Sequence, residues 1–150
     1  MATLSEGDVE NILLSQLEGL GYACLNDTFT SNPDGPSPER DAYSDVILTA
    51  RFRAAIDRLN PHIPPEARED AIKKITASER PTLIEENRRL HRLMIDGVGV
   101  EFRAPDGTIR GDTVRLIDPD DFHNDWLAIS QFTVIENGHN RRNDVVAFLN

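Results

Sequence analysis

The hydrophobic period of this chain changes at Gly97, and the change limits what it can fold into. Before that residue, apolar side chains recur every three or four positions, as on one helix face. After it they alternate, as on one face of a strand. Such a chain is α/β, with a helical region over about residues 1–96 and a strand region over about 98–150. Its 150 residues, 28% of them charged, suit one globular domain with a real core.

In the helical region Val9, Ile12, Leu13, Gln16, Leu17 and Leu20 predict a first helix, with Thr3 and Glu6 as a capping box and Gly19 and Gly21 at its end. Tyr22 to Leu25 reads as a short strand. Asn32 to Pro38 holds too much Pro and Gly for regular structure. A helix is expected from Asp41 to Leu59, a second from Pro64 to about Ala77 with proline in its first turn, and a third from Leu83 to Met94.

In the strand region Val98, Val100 and Phe102, the turn Pro105-Asp106-Gly107 and Ile109 to Ile117 predict a hairpin. Leu127 to Ile135 reads as a strong strand and Asn137-Gly138-His139-Asn140 as a turn. Asp144 to Leu149 is an apolar run expected to start at Asp144 and to be buried on both faces. A chain that stops on such a strand is expected to be truncated from a longer one.

The net charge of −10 argues against a general nucleic-acid binder acting by phosphate neutralisation. The average conceals an asymmetry. Residues 1–45 carry nine acids and one base, residues 46–96 eight and ten, and residues 97–150 nine and five. Lys73, Lys74, Arg88, Arg89 and Arg92 could form a basic surface, although Asp70 with Lys74 and Glu85 with Arg89 have the spacing of helix-stabilising pairs. No stretch is apolar enough to span a membrane and the N-terminus lacks the features of a signal peptide, so a cytoplasmic protein is expected.

Cys24 is the lone thiol and is expected to act as a small buried hydrophobe. His62, His91, His123 and His139 show no zinc spacing. Asp118, Asp120, Asp121 and Asp125 lack the glycine and distant glutamate of a calcium loop and read as a solvated acidic loop. No phosphate-cradling Gly-rich Lys motif occurs, hence no ATP site is visible.

Ser5-Glu6-Gly7-Asp8-Val9-Glu10, Leu17-Glu18-Gly19-Leu20-Gly21-Tyr22, and the run from Asn140 through Arg141-Arg142-Asn143-Asp144 to Asn150 carry a likeness. The chain resembles the N-terminal segment of the restriction (R, motor) subunit of type I restriction enzymes. The resemblance implies a restriction-endonuclease-like fold of the PD-(D/E)xK type, a mixed and mainly antiparallel sheet flanked by helices, here incomplete. It makes Asp144 the first metal ligand. The second acid and the lysine would follow Asn150 on a Glu-x-Lys strand, so the segment alone is expected to be inactive.

The resemblance further implies Mg²⁺ as cofactor, ATP used only by translocase domains outside this segment, and double-stranded DNA with modification and specificity subunits as partners. Phosphodiester hydrolysis needs a cation that polarises a phosphoryl oxygen and activates water, so hard oxygen ligands must converge. Glu10 is the other candidate, since Leu13, Leu14 and Leu17 stand three, four and seven positions on and place it on the apolar side of the first helix. Several nucleases of the resembled type use such a helix acid beside the metal. Arg141 and Arg142, expected in the turn beside the site, could hold DNA phosphates. The rival expectation is a non-catalytic interaction or assembly module in which Asp144 merely starts a strand.

Overall fold

The computed structural model describes residues 5–121 and 123–150. In chain order the elements are α1 (Glu6–Gly19), β1 (Ala23–Asn26), α2 (Thr49–Leu59), α3 (Pro65–Thr76), α4 (Leu83–Asp96), β2 (Val98–Arg103), β3 (Ile109–Val114), β4 (Trp126–Glu136) and β5 (His139–Leu149). The expected α/β class with a mixed sheet and helices is what the chain adopts. The residues form two compact units, one of residues 1–52 with 125–150 and one of residues 53–124.

In the first unit, α1 starts at Ser5. The Ser5 hydroxyl accepts the Asp8 amide, and the Asp8 carboxylate accepts the Ser5 amide at 2.8 Å and its hydroxyl at 2.7 Å. The expected cap residue Thr3 lies outside the described residues. At the other end Gly21, at φ +96°, lets the Tyr22 amide turn back to the Leu17 carbonyl. The chain then enters β1, which runs parallel to β4, and β4 pairs antiparallel with β5, giving the sheet order β1-β4-β5. Leu48, Leu127, Ile129 and Phe132 form the buried core, with Leu25, Val134, Val146 and Phe148 packed at its margin.

The expected helix from Asp41 to Leu59 is corrected. Residues 41–48 form a loop, and α2 begins only at Thr49. The backbone groups a helix would need are spent elsewhere. Arg40 Nη1 donates to the Asp45 carbonyl at 3.1 Å, the Ile135 amide to the Tyr43 carbonyl at 3.1 Å, and the Ala42 amide to the Asp45 carboxylate at 2.9 Å. Arg40 is itself buried. Its Nη2 lies 2.7 Å from the Asp27 carboxylate and 2.5 Å from the Thr133 carbonyl, and its guanidinium sits 3.8 Å over the Phe132 ring. Asp27 accepts the Thr133 amide in return, at 2.9 Å. One ion pair thus fastens the loop to the second half of β4.

In the second unit, α3 begins with Pro65, where no helical hydrogen bond is lost, and buries Ala67, Ala71 and Ile72. β2 and β3 form the expected antiparallel hairpin around Gly107 at φ +84°, although β3 ends at Val114 instead of Ile117. Val98, Val100 and Val114 are buried. The buried Asn60 acts as a backbone surrogate, since its amide donates to the Arg115 carbonyl and its oxygen accepts the Arg115 amide, both at 2.8 Å.

The charge pairs also differ from expectation. Arg89 bonds Glu86 and the Ala77 carbonyl, leaving Glu85 to accept the Thr82 hydroxyl, and Lys74 donates to the Gly99 carbonyl. The acidic loop is exposed at Asp120 and Asp121, in keeping with the solvated loop expected, and carries hydrogen bonds of its own. Asp118 accepts the His123 ring at 2.7 Å and the Asp120 amide at 3.1 Å, and these bonds, the His123 one first, hold its carboxyl below the usual range.

Candidate functional site

The two candidate acids reach the same strand of the first unit from opposite directions. Glu10 comes from α1. Its inward face is Glu10, Leu14 and Leu17, each half-buried, while Val9, Ile12 and Leu13 are exposed. The apolar side is therefore turned about one residue away from the Leu13 face anticipated. The Cys24 thiol on β1 donates to the Leu14 carbonyl at 3.7 Å, and burial pushes its pKa up. Cys24 is half-buried instead of buried.

Asp144 comes from β5, and its setting corrects three expectations. β5 begins at His139, so Asp144 lies within the strand and not at its start. Arg141 and Arg142 lie within the strand too, in register with Val134 and Thr133, and not in a turn. The strand is not buried on both faces, for residues 139–144 are exposed and only Val145, Val146, Phe148, Leu149 and Asn150 are half-buried. The cause is the tight turn. Asn137 at φ 51° and Gly138 at φ 76° make a two-residue turn whose twist matches the strands, so pairing extends to Glu136 and His139.

Gln131 bonds Glu10 and, by register, lies across from Asp144. The ladder between β4 and β5 runs Ser130 with Val145, then Phe132 with Asn143, and skips one matched position, that of Gln131 and Asp144. Gln131 stands there at φ +58°, a left-handed conformation uncommon for a residue with a side chain. Alternation slips at this point, because the core-facing residues are Leu127 and Ile129 before it and Phe132 and Val134 after it. The slip turns the Gln131 side chain to α1, where Nε2 donates to Glu10 Oε2 at 2.7 Å. Asp144 is exposed, and neither it nor Glu10 has a cationic partner among the described residues. Among those residues no three His, Cys, Asp or Glu side chains converge as a metal cluster.

Gln131 and the Asp27–Arg40 pair were not anticipated. The only signal for Gln131 was a glutamine inside the apolar run Leu127 to Ile135. Charge frames the site. Residues 1–52 and 125–150 hold twelve Asp or Glu against four arginines, Arg40, Arg51, Arg141 and Arg142. Arg40 is bound to Asp27, and Arg51 to Glu39 and Asp125. Arg141 and Arg142 are left exposed on β5. The chain's two lysines, Lys73 and Lys74, belong to the other unit.

The first unit thus presents a part-buried Glu10 on α1, held by Gln131, and an exposed Asp144 on β5, beside a three-stranded mixed sheet, and comparison with known proteins places the chain in a family. Over residues 3–150 it belongs to the family described as type I restriction enzyme R protein N terminus. It is 33% identical over 146 residues to a putative type I restriction enzyme MjaIXP endonuclease subunit of Methanocaldococcus jannaschii, covering 95% of this chain. It is 29% identical over 153 residues to the type I restriction enzyme HindI endonuclease subunit of Haemophilus influenzae, covering 98% of this chain. The chain spans 14% of the length of each of these relatives. Among the described residues no helix is long and apolar enough to cross a membrane.

Proposed function

We propose that this segment supplies part of the DNA-cleaving site of a type I restriction enzyme R subunit, with Asp144 and Glu10 as carboxylate ligands of Mg²⁺. The carrying observation is the single skipped ladder position, which sets Asp144 across from the residue that holds Glu10. The donors fit the ion, since Mg²⁺ takes one or two carboxylates and keeps several waters. When bound, it would polarise a phosphoryl oxygen and lower the pKa of an attacking water.

The chain's own residues bind and orient. Asp144 and Glu10 offer hard oxygens not neutralised by a neighbouring cation, and Arg141 and Arg142, three and two positions before Asp144 on the same strand, draw DNA phosphates to it. The remaining acid and the lysine come from a Glu-x-Lys strand in the longer protein, which would pair with the free edge of β5. ATP-driven translocation belongs to other parts of that protein. Its partners are double-stranded DNA and the modification and specificity subunits, in the cytoplasm, and the isolated segment does not cut.

A second reading, a non-catalytic assembly module, is favoured by the exposed apolar residues of α1 and its C-cap, namely Val9 at 55%, Ile12 at 50% and Leu20 at 75%. The two readings part on one experiment. Asp144→Ala in the full-length subunit, assembled with its partners, should abolish Mg²⁺-dependent cleavage of unmodified DNA while ATP hydrolysis persists. Undiminished cleavage would favour the module.

A further inference from the structure

We propose that Gln131 is a positioning residue of the metal site, whose left-handed backbone and side-chain amide together deliver Glu10 to the cation without neutralising it. The proposal rests on the reading of Asp144 and Glu10 as ligands.

The backbone is the first argument. Four described residues other than glycine have positive φ, and three of them, Asp121, Asn137 and Asn150, are Asp or Asn outside the strands. Asp and Asn tolerate this region through their short polar side chains. Gln131 is the exception, in mid-strand with a longer side chain. Such a conformation is strained and persists only where the surroundings impose it. Here they do. The residue two positions on, Thr133, gives its amide to the buried Asp27 and its carbonyl to the buried Arg40, and its hydroxyl donates to the Gln131 carbonyl at 3.2 Å. The strand beyond the slip is held by a buried ion pair.

The second argument is the chemistry of the donor. A carboxylate beside a helix needs a hydrogen bond to fix its orientation. A lysine or arginine would supply one but would cancel the charge that attracts a cation. The Gln131 amide is neutral. It engages Glu10 Oε2 at 2.7 Å, while the other oxygen, Oε1, has no hydrogen-bond partner among the described residues. The third argument is place. The β4–β5 ladder is interrupted at one position, and continuing its register across the gap sets this residue opposite Asp144. A kink needed only for shape could sit anywhere along eleven residues and could be made by glycine.

Gln131→Gly separates the two roles, since glycine keeps the left-handed backbone and removes the amide. In the full-length subunit the variant should melt at the wild-type temperature or above. Its affinity for Mn²⁺ alone, followed by the electron paramagnetic resonance of the free ion, should fall ~10–100-fold, the usual loss for an outer-shell partner of a ligand. The Mg²⁺ concentration for half-maximal cleavage should rise with it, and excess Mg²⁺ should restore part of the rate. Because the amide acts through Glu10, Gln131→Gly should cost nothing further in a Glu10→Gln background.

If the glycine variant fails to fold, Gln131→Asn, which accepts the backbone but lacks the reach, replaces it with the same expectations. Wild-type Mn²⁺ binding by the folded variant, or losses that add to those of Glu10→Gln, would overturn the proposal while leaving Asp144 and Glu10 as ligands. Normal Mn²⁺ binding and cleavage by Asp144→Ala would instead overturn the reading of the site itself.

Discussion

Replacing Arg40 by alanine strands a carboxylate inside the protein, and the size of the effect follows from its surroundings. The side chains of Arg40 and Asp27 are 0% and 1% exposed. Without the guanidinium, Asp27 keeps the Thr133 amide at 2.9 Å and the Ser31 hydroxyl at 3.3 Å, but no counter-charge. The Thr133 and Asp45 carbonyls lose their donor as well. Breaking a buried pair from one side costs ~3–5 kcal/mol, about a fifth or more of the ~5–15 kcal/mol that holds a typical domain together. Trp126 is the one tryptophan of the chain and lies in the same unit. Its fluorescence should follow urea unfolding of that unit, with the Arg40→Ala midpoint lowered by at least about 1 M for a slope of ~1–3 kcal/mol per molar. The double variant Asp27→Asn with Arg40→Met leaves no charge behind and keeps an acceptor for the Thr133 amide, so it should lose less than Arg40→Ala alone. A double variant as unstable as the sum of its single changes would refute the claim that an orphaned charge dominates.

Gly97→Ala should destabilise the second unit by roughly 1–3 kcal/mol in a thermal melt, since the residue sits at φ +79° and an added Cβ would lie 2.5 Å from Thr113 Cγ2 and 2.8 Å from the Val114 carbonyl oxygen. The bonds from the Ser5 side chain and amide hold the Asp8 carboxyl below its ordinary value. Their stabilisation of α1 is present above the unfolded pKa and is lost as pH falls through the lowered folded one, so acid titration of helicity should flatten in Asp8→Asn. Arg141→Ala with Arg142→Ala should weaken DNA binding by the full-length subunit whatever the sequence, and should reduce the salt dependence by up to about two phosphate contacts. Unchanged salt dependence would remove those arginines from the DNA path.

The elements were legible wherever the local pattern and tertiary demand agree. The first helix, the hairpin at Gly107 and the long strand from Trp126 follow from residue spacing alone, with ends within two or three positions. The helix expected from Asp41 failed because Arg40 and Ile135 claim the backbone there, and a period of apolar residues cannot reveal a competing partner far along the chain. Asp144 was placed at a strand start because the polar residues Asn140 to Asn143 read as turn. They are strand residues, since the Asn137-Gly138 turn is complete in two residues. Of the proposed site, Asp144 was named from the family resemblance of its flanking sequence and from no pattern of spacing. Gln131 could not be named, for its importance lies in a backbone angle and a bond to a residue 121 positions earlier.

Charge and strain together set an order of events at the proposed site. With twelve acids against four arginines, two of those arginines already engaged, the first unit repels a phosphodiester more than it attracts one. On the proposed reading a divalent cation reverses that locally and binds before, or with, the scissile phosphate. The ligands must then hold their charge while waiting. A neutral amide on Glu10 and an exposed, unpaired Asp144 satisfy that demand, whereas ion pairs like those of Arg40 and Arg51 would not. The buried pair stands two positions away, at Thr133, and fixes the strand without touching the ligands. Full neutralisation is thus kept for the residues that hold the scaffold, and incomplete neutralisation for the two acids proposed to take the cation.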